Sequence, residues 1–202
     1  QNALRLAKIV DEVLDISRVQ HQELTATAVN LNEAIERICL DWQAQTASQA
    51  MLDLTLAPDT PLVKFETEHL RRILVNLLDN ARRYASRQPY AMQVTVGQSA
   101  MGQSYLSVWS DGAPMDQSVE RHLFEPFFSS ESRSSGLGLY ICRELCEGHG
   151  AAIAYYRAPR QMGTNTQDGN EFLVTFQSAP VHLAGGLTGD NTALTPWPHT
   201  QR

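Results

Sequence analysis

Long apolar runs are missing from this 202-residue chain, and no stretch approaches the roughly 20 residues that span a bilayer. A charged-then-apolar leader with a small-residue cleavage site is missing as well. Cysteine is scarce. Cys39, Cys142 and Cys146 suit a reducing cytoplasm better than a disulfide framework. There is no surplus of positive charge: 16 Lys and Arg face 22 Asp and Glu, a net charge of −6, which argues against the clustered basic face that a nucleic-acid surface needs. What is present is ordinary globular composition, 43% hydrophobic and 19% charged, enough for one full core plus a smaller element. Gln1 falls in mid-pattern, so the chain reads as a piece of a longer protein, and any membrane part is expected upstream.

The most informative stretch is Thr67 to Ala85, TEHLRRILVNLLDNARRYA. At helical spacing Leu70, Ile73, Leu74, Leu77, Leu78, Ala81 and Ala85 form one apolar stripe, with Thr67 and Glu68 as the expected N-cap. Beside it run Asn76, Asn80, Arg83 and Tyr84, on the border with a solvent face of Arg71, Arg72, Asp79 and Arg82. A border stripe of this kind lies at the wall of a pocket.

Around this helix the chain punctuates itself. Residues 1–22 carry Leu6, Ile9, Val13 and Ile16 at 3-4-3 spacing, which predicts a helix that seeks a partner helix. A polar linker or strand entry follows to Ala28; Asn30 or Asn32 then caps a helix that buries Ile35, Ile38 and Trp42 and ends near Ser48. Strands are predicted at 51–57, 62–65, 92–96, 105–109, 151–156 and 171–176, and a helix at 136–147. Asp111 to Ser135 has no periodicity and reads as a mobile loop; 178–202 reads as a disordered tail. The order of helices and sequential hairpins predicts an α/β (α+β) two-layer sandwich, a mixed sheet with its helices on one face, occupying residues 23–177. Cys142, Cys146 and His149 share a helical face like a metal clip, but with no fourth ligand and an apolar setting they read as buried free thiols and a neighbouring histidine.

Downstream of the asparagine helix come SDGAPM at Ser110 to Met115, FEPFF at Phe124 to Phe128, and SGLGLYICREL at Ser135 to Leu145. In this order and spacing the four blocks resemble the N, G1, F and G2 boxes of sensor histidine kinases, whose ATP-binding fold is shared with gyrase, the Hsp90 chaperone and the mismatch-repair ATPases. The subgroup resemblance is to kinases governing type IV pili or the nitrogen response. It covers Leu4 to Phe176 and implies ATP and Mg²⁺ as cofactors, Asn80 as metal ligand, and Asn76 as support for metal or phosphates. Hydrolysing relatives commonly carry a Glu at that earlier position, and an amide cannot take its proton, which favours transfer over hydrolysis. Arg83 matches a phosphate contact and Tyr84 an aromatic residue flanking the base. The G2 block implies a phosphate cradle at Gly136, Leu137, Gly138 and Leu139 on a helix start, with Arg133 beside it and Ser134 where the family often has a further Gly.

The G1 block departs from its pattern, Asp-x-Gly-x-Gly. Aligning Gly112 with the first Gly puts Ser110 at the Asp position and Pro114 at the second Gly, so either Ser110 makes a neutral contact to adenine or the turn brings Asp111 inward. The Phe block implies a lid in which Phe127 and Phe128 anchor a free tip.

The implied reaction is transfer of the γ-phosphoryl of Mg-ATP to a histidine for relay to a response regulator receiver domain, with a homodimer formed through the N-terminal helix of the full protein. The acceptor box is absent here, since His21 is followed by QELT. The fragment is expected on the cytoplasmic side, compatible with a larger inner-membrane sensor. One rival is a degenerate scaffold that docks a response regulator; another is an ATP-hydrolysing clamp.

Overall fold

A computed structural model of the chain describes residues 26–48, 50–128 and 136–177; the N-terminal helix and C-terminal tail expected from the sequence lie outside them. The elements in order are β1 (Thr27–Asn30), α1 (Leu31–Thr46), β2 (Leu52–Thr55), β3 (Leu62–Phe65), α2 (Thr67–Tyr84), β4 (Met92–Gln98), β5 (Ser104–Ser110), α3 (Gln117–Arg121), α4 (Gly138–Gly148), β6 (Ala152–Met162) and β7 (Asn165–Thr175). Five strands form a mixed sheet in the order β2-β4-β5-β7-β6, parallel only between β2 and β4; β1 and β3 pair as a separate antiparallel ribbon. No helix among the described residues is long and apolar enough to cross a membrane.

Local chemistry sets the helix ends. Asn30 caps α1 by accepting from the Glu33 N–H at 3.3 Å, while its amide donates back to the Glu33 carboxylate at 2.8 Å. Asn32, the other expected cap, instead ties down the β2–β3 connection through Ala57 and Asp59. The cap of α2 is Glu66 rather than Thr67: its carboxylate accepts from the N–H groups of Glu68 and His69. A carboxylate suits this position because it faces the positive end of the helix.

The apolar stripe of α2 is buried as expected from Leu70 to Ala81, and the helix lies between α1 and α4 and packs on β5. Each large side chain in that stripe contributes about 1.5–3 kcal/mol on burial. Asp79 and Arg82 are exposed, as read, and both also reach α1: the Trp42 indole N–H donates to Asp79 at 2.9 Å and the Arg82 guanidinium sits 5.8 Å over the same ring.

Register gives the helix-facing side of the sheet two apolar rows, Val96–Leu106–Val174–Ile153 and Val94–Val108–Phe172–Tyr155. The next row, Met92–Ser110–Asn170–Arg157, turns polar across its last three strands. On the opposite face Trp109 is fully buried and its indole N–H donates to Ala158 O at 2.8 Å.

Two elements differ from expectation and a third settles an open one. β1 resolves the stretch read as a linker or strand entry into a strand, because Val29 is drawn inward against Val63. The β6–β7 hairpin is far longer, since its outer half alternates among polar and exposed residues and so carries no apolar period. The short helix α3 falls inside the stretch read as a mobile loop.

A histidine pair joins the N-terminus of α2 to the end of α4. His69 Nδ1 lies 2.9 Å from His149 Nε2, and the His149 ring stacks 4.1 Å from Phe65. Burial, then the nearby His69, hold His149 down to about 4, against the opposing Glu66 carboxylate. The unfolded chain takes up this proton near its ordinary value, so between about pH 6.5 and 4 unfolding binds protons and stability rises with pH. Thermal melts should therefore drop steadily as pH falls through that window, and His149→Gln should flatten the slope; an unchanged slope in the variant would remove His149 as its source.

Candidate functional site

The border stripe of α2 meets the start of α4. Asn76 and Asn80 are half-buried, and a Cβ built at Gly138 would lie 3.8 Å from Asn76 Oδ1 with no nearer neighbour. Glycine thus leaves the first turn of α4 open towards the Asn76 amide. That turn has no side-chain cap, and its first intrahelical bond runs from Ile141 N to Leu137 O at 2.8 Å. The N–H groups of Gly138, Leu139 and Tyr140 precede that bond and collect at the positive helix end, the arrangement that receives an anion. Further along α2, Arg83 and Tyr84 are exposed.

Gly136 joins the Phe block to α4. Its φ is +69°, and a Cβ there would lie 2.6 Å from the carbonyl carbon of Phe127 and 2.8 Å from Phe128 N. Leu123 and Phe124 anchor the segment, Phe124 meeting Phe172 edge-on at 6.3 Å. Phe127, expected as an anchor, is 68% exposed with φ +62°, while Phe128 is half-buried against His122. Gly136→Ala should cost about 2–5 kcal/mol from left-handed strain and backbone collision together. The Phe block should loosen with it, seen as faster proteolysis within 123–128. Arg133 lies outside the described residues.

At the G1 block the two alternatives separate. The Asp111 carboxylate accepts from the Ser86 N–H at 2.7 Å and from the Ser86 hydroxyl, which fastens the chain just beyond α2. Ser110 is buried on the helix-facing side, in register with Asn170. Gly112 is also buried; a Cβ there would lie 3.0 Å from both Tyr84 O and Asn170 Nδ2.

The turn at Gly112 and Ala113 is held by residues that carry no motif of their own in the sequence. Asn170 donates to Ala113 O at 3.0 Å; its Oδ1 accepts from the Tyr155 hydroxyl at 2.7 Å and from Arg157 Nη1 at 3.0 Å. Arg157 also donates to Gly112 O at 2.7 Å and to Asp168 O at 2.9 Å. Because guanidinium only donates, the Asn170 amide orientation is fixed. Burial, then the Glu120 carboxylate, raise Tyr155 above its ordinary value, so it holds its proton and donates. The available signal was Asn170 itself, a polar residue on the face otherwise filled by Phe172, Val174 and Phe176.

The thiols are buried. Desolvation pushes Cys39 and Cys142 up to about 12, with the Asn76 side chain and Arg72 opposing at Cys142, and raises Cys146 as well. Among the described residues no group of His, Cys, Asp or Glu is arranged to hold a metal ion.

Residues 66–180 match the family described as histidine kinase-, DNA gyrase B-, and HSP90-like ATPase, and the chain belongs to that family. Within it, this is a sensor histidine kinase catalytic domain of the ATP-binding, two-component signalling class. The sensor protein kinase PilS of Pseudomonas aeruginosa is 30% identical over 175 residues, 85% of this chain but 31% of that protein. The chain therefore spans about a third of that relative's length. Two solved structures share the fold: Acinetobacter baumannii histidine kinase AdeS, with TM-score 0.65 and 20% identity over 87% of this chain and 80% of that one, and histidine kinase ThkA in complex with response regulator protein TrrA, with TM-score 0.65 and 22% identity over 88% and 49%.

Proposed function

We propose that this chain binds Mg-ATP and presents its γ-phosphoryl to a histidine lying outside the chain, for onward relay to a response regulator receiver domain. The observation that carries the reading is the meeting of Asn76 with the uncapped start of α4 across Gly138. An amide oxygen on a rigid helix is a hard donor, and three phosphates demand both N–H groups and a cation. Both lie on one wall here. Asn80, one turn from Asn76, would hold Mg²⁺, which when bound neutralises and orients the phosphates. The backbone at Gly136, Leu137, Gly138 and Leu139 would cradle them, with Arg83 and Arg133 as further cations and Tyr84 beside the base.

Among the asparagines no group accepts a proton, so this wall supplies positioning and charge neutralisation and no base for water. That favours phosphoryl transfer over hydrolysis. The match to sensor kinases supports cytoplasmic placement and dimerisation through residues 1–22, and the ThkA complex supports a response regulator as partner.

The scaffold reading draws on one observation: Asp111 is tied to Ser86, leaving Ser110 at the position of the family's acidic residue. Calorimetric titration with ATP, with and without Mg²⁺, separates the two. Magnesium-dependent binding supports the catalytic reading, and phosphotransfer to a separately supplied histidine-bearing hairpin completes the test. No binding up to millimolar ATP would leave only the scaffold.

A further inference from the structure

If the chain binds a nucleotide as proposed, the row Ser110–Asn170–Arg157 has a composition that bears on which base the site takes. The three residues stand side by side on neighbouring strands, on the same face as the apolar rows and at their end. There Gly112 meets the C-terminal backbone of α2 at Tyr84, about two helical turns beyond Asn76 and the proposed phosphate cradle. The row contains no carboxylate. The nearest candidate, Asp111, leaves from the opposite face of the strand end and spends both oxygens on Ser86.

What the row offers is mostly donors. Asn170 Oδ1 is saturated by Tyr155 and Arg157, and one of its amide hydrogens goes to Ala113 O, which leaves the other as a donor. Arg157 carries five N–H groups and its bonds here go to neutral oxygens. Ser110 is buried, and its hydroxyl rotates to donate or accept. A carboxylate accepts only, so at such a position it pairs with a 6-amino purine and repels the lone pairs of a 6-oxo purine. The serine hydroxyl has no such preference, and the donors beside it suit a 6-oxo group.

We propose that Ser110, backed by Asn170 and Arg157, makes this a site of relaxed purine selectivity that accepts 6-oxo purine triphosphates alongside ATP. Ser110 is the specificity-determining residue. Asn170 and Arg157 add donors beside it and, with Tyr155, also fix the Gly112–Ala113 turn against it.

The test compares ATP with inosine triphosphate on the whole chain with Mg²⁺. The two ligands share sugar, phosphates and metal and differ at the purine 6-position, so their affinity ratio isolates the base. The wild type should bind them within about tenfold of each other, and Ser110→Asp should shift the ratio towards ATP by at least about tenfold, since an unmet or repelled polar group at a buried contact carries that much discrimination. Should Ser110→Asp fail to fold, the wild-type ratio decides alone. ATP binding more than about tenfold tighter than inosine triphosphate in the wild type overturns the inference and leaves the nucleotide reading standing. Failure of both triphosphates to bind overturns both.

Discussion

Asn80→Ala should weaken magnesium-dependent ATP binding by at least about a hundredfold, because on the proposed reading it removes a metal ligand outright, where loss of a mere supporting contact already costs about ten- to a hundredfold. Binding measured in chelator should change little, since the proposed phosphate cradle at α4 and the proposed base contacts do not involve this side chain. Stability should also hold: Asn80 is half-buried on the border of α2, outside the buried stripe of Leu70, Ile73, Leu74, Leu77, Leu78 and Ala81. Its truncation leaves no cavity in that stripe, and alanine is the better helix former. The melting temperature is thus expected to stay within a few degrees of the wild type, at about 2–4 °C per kcal/mol for a chain of this size. The signature is therefore a split: metal-dependent affinity lost, fold kept. Equal binding by variant and wild type in magnesium would take Asn80 out of the metal site.

Periodicity made some of this architecture legible and geometry hid the rest. The asparagine helix shows in the sequence because seven apolar residues repeat at helical spacing, and its observed span, Thr67–Tyr84, ends one residue from expectation. Its true cap does not show: choosing Glu66 over Thr67 requires knowing where the chain enters the helix. β6 and β7 outrun their apolar period because Arg157, Pro159, Gln161, Gln167 and Asp168 pair in a hairpin whose outer half has nothing apolar to bury. β1 is a four-residue strand with one buried side chain, too little for a period.

At the site, block order was enough to bring Asn76 and Gly138 together, although they lie on different helices. What a single chain read left to right conceals is cross-strand chemistry. The fate of Asp111 depends on Ser86, and the support of the Gly112 turn depends on Asn170 and Arg157, each brought in from a distant segment. The Phe block shows the same limit. Its composition announced an apolar anchor, yet Leu123 and Phe124 do the anchoring and Phe127 faces solvent.

Gly169→Ala should be among the most damaging glycine-to-alanine changes at the described residues. Gly169 sits on β7 opposite Ala158, and a Cβ there would collide with the Ser110 carbonyl oxygen and with the Trp109 ring at separations that real Cβ atoms do not show. Neither neighbour can yield. The Ser110 oxygen is backbone at the end of β5, and the Trp109 ring is fully buried with its N–H committed to Ala158 O. The only relief is for β5 and β7 to part at their end. That strains the Ser110–Asn170 register pair and releases the amide that holds Ala113. Such overpacking costs about 3 kcal/mol. For a chain of this size the melting temperature should fall by roughly 6–12 °C. ATP affinity should fall with it although position 169 touches no ligand, because the turn at Gly112 and Ala113 loses its backing. Gly102→Ala is the matched control: that glycine lies in the β4–β5 turn with φ +76° and nothing within 4 Å of a built Cβ. It should cost about 1–2 kcal/mol from left-handed strain alone and leave ATP binding untouched. A Gly169→Ala protein that melts and binds like the wild type would show that the β5–β7 end is not the rigid floor on which the base-side turn is built.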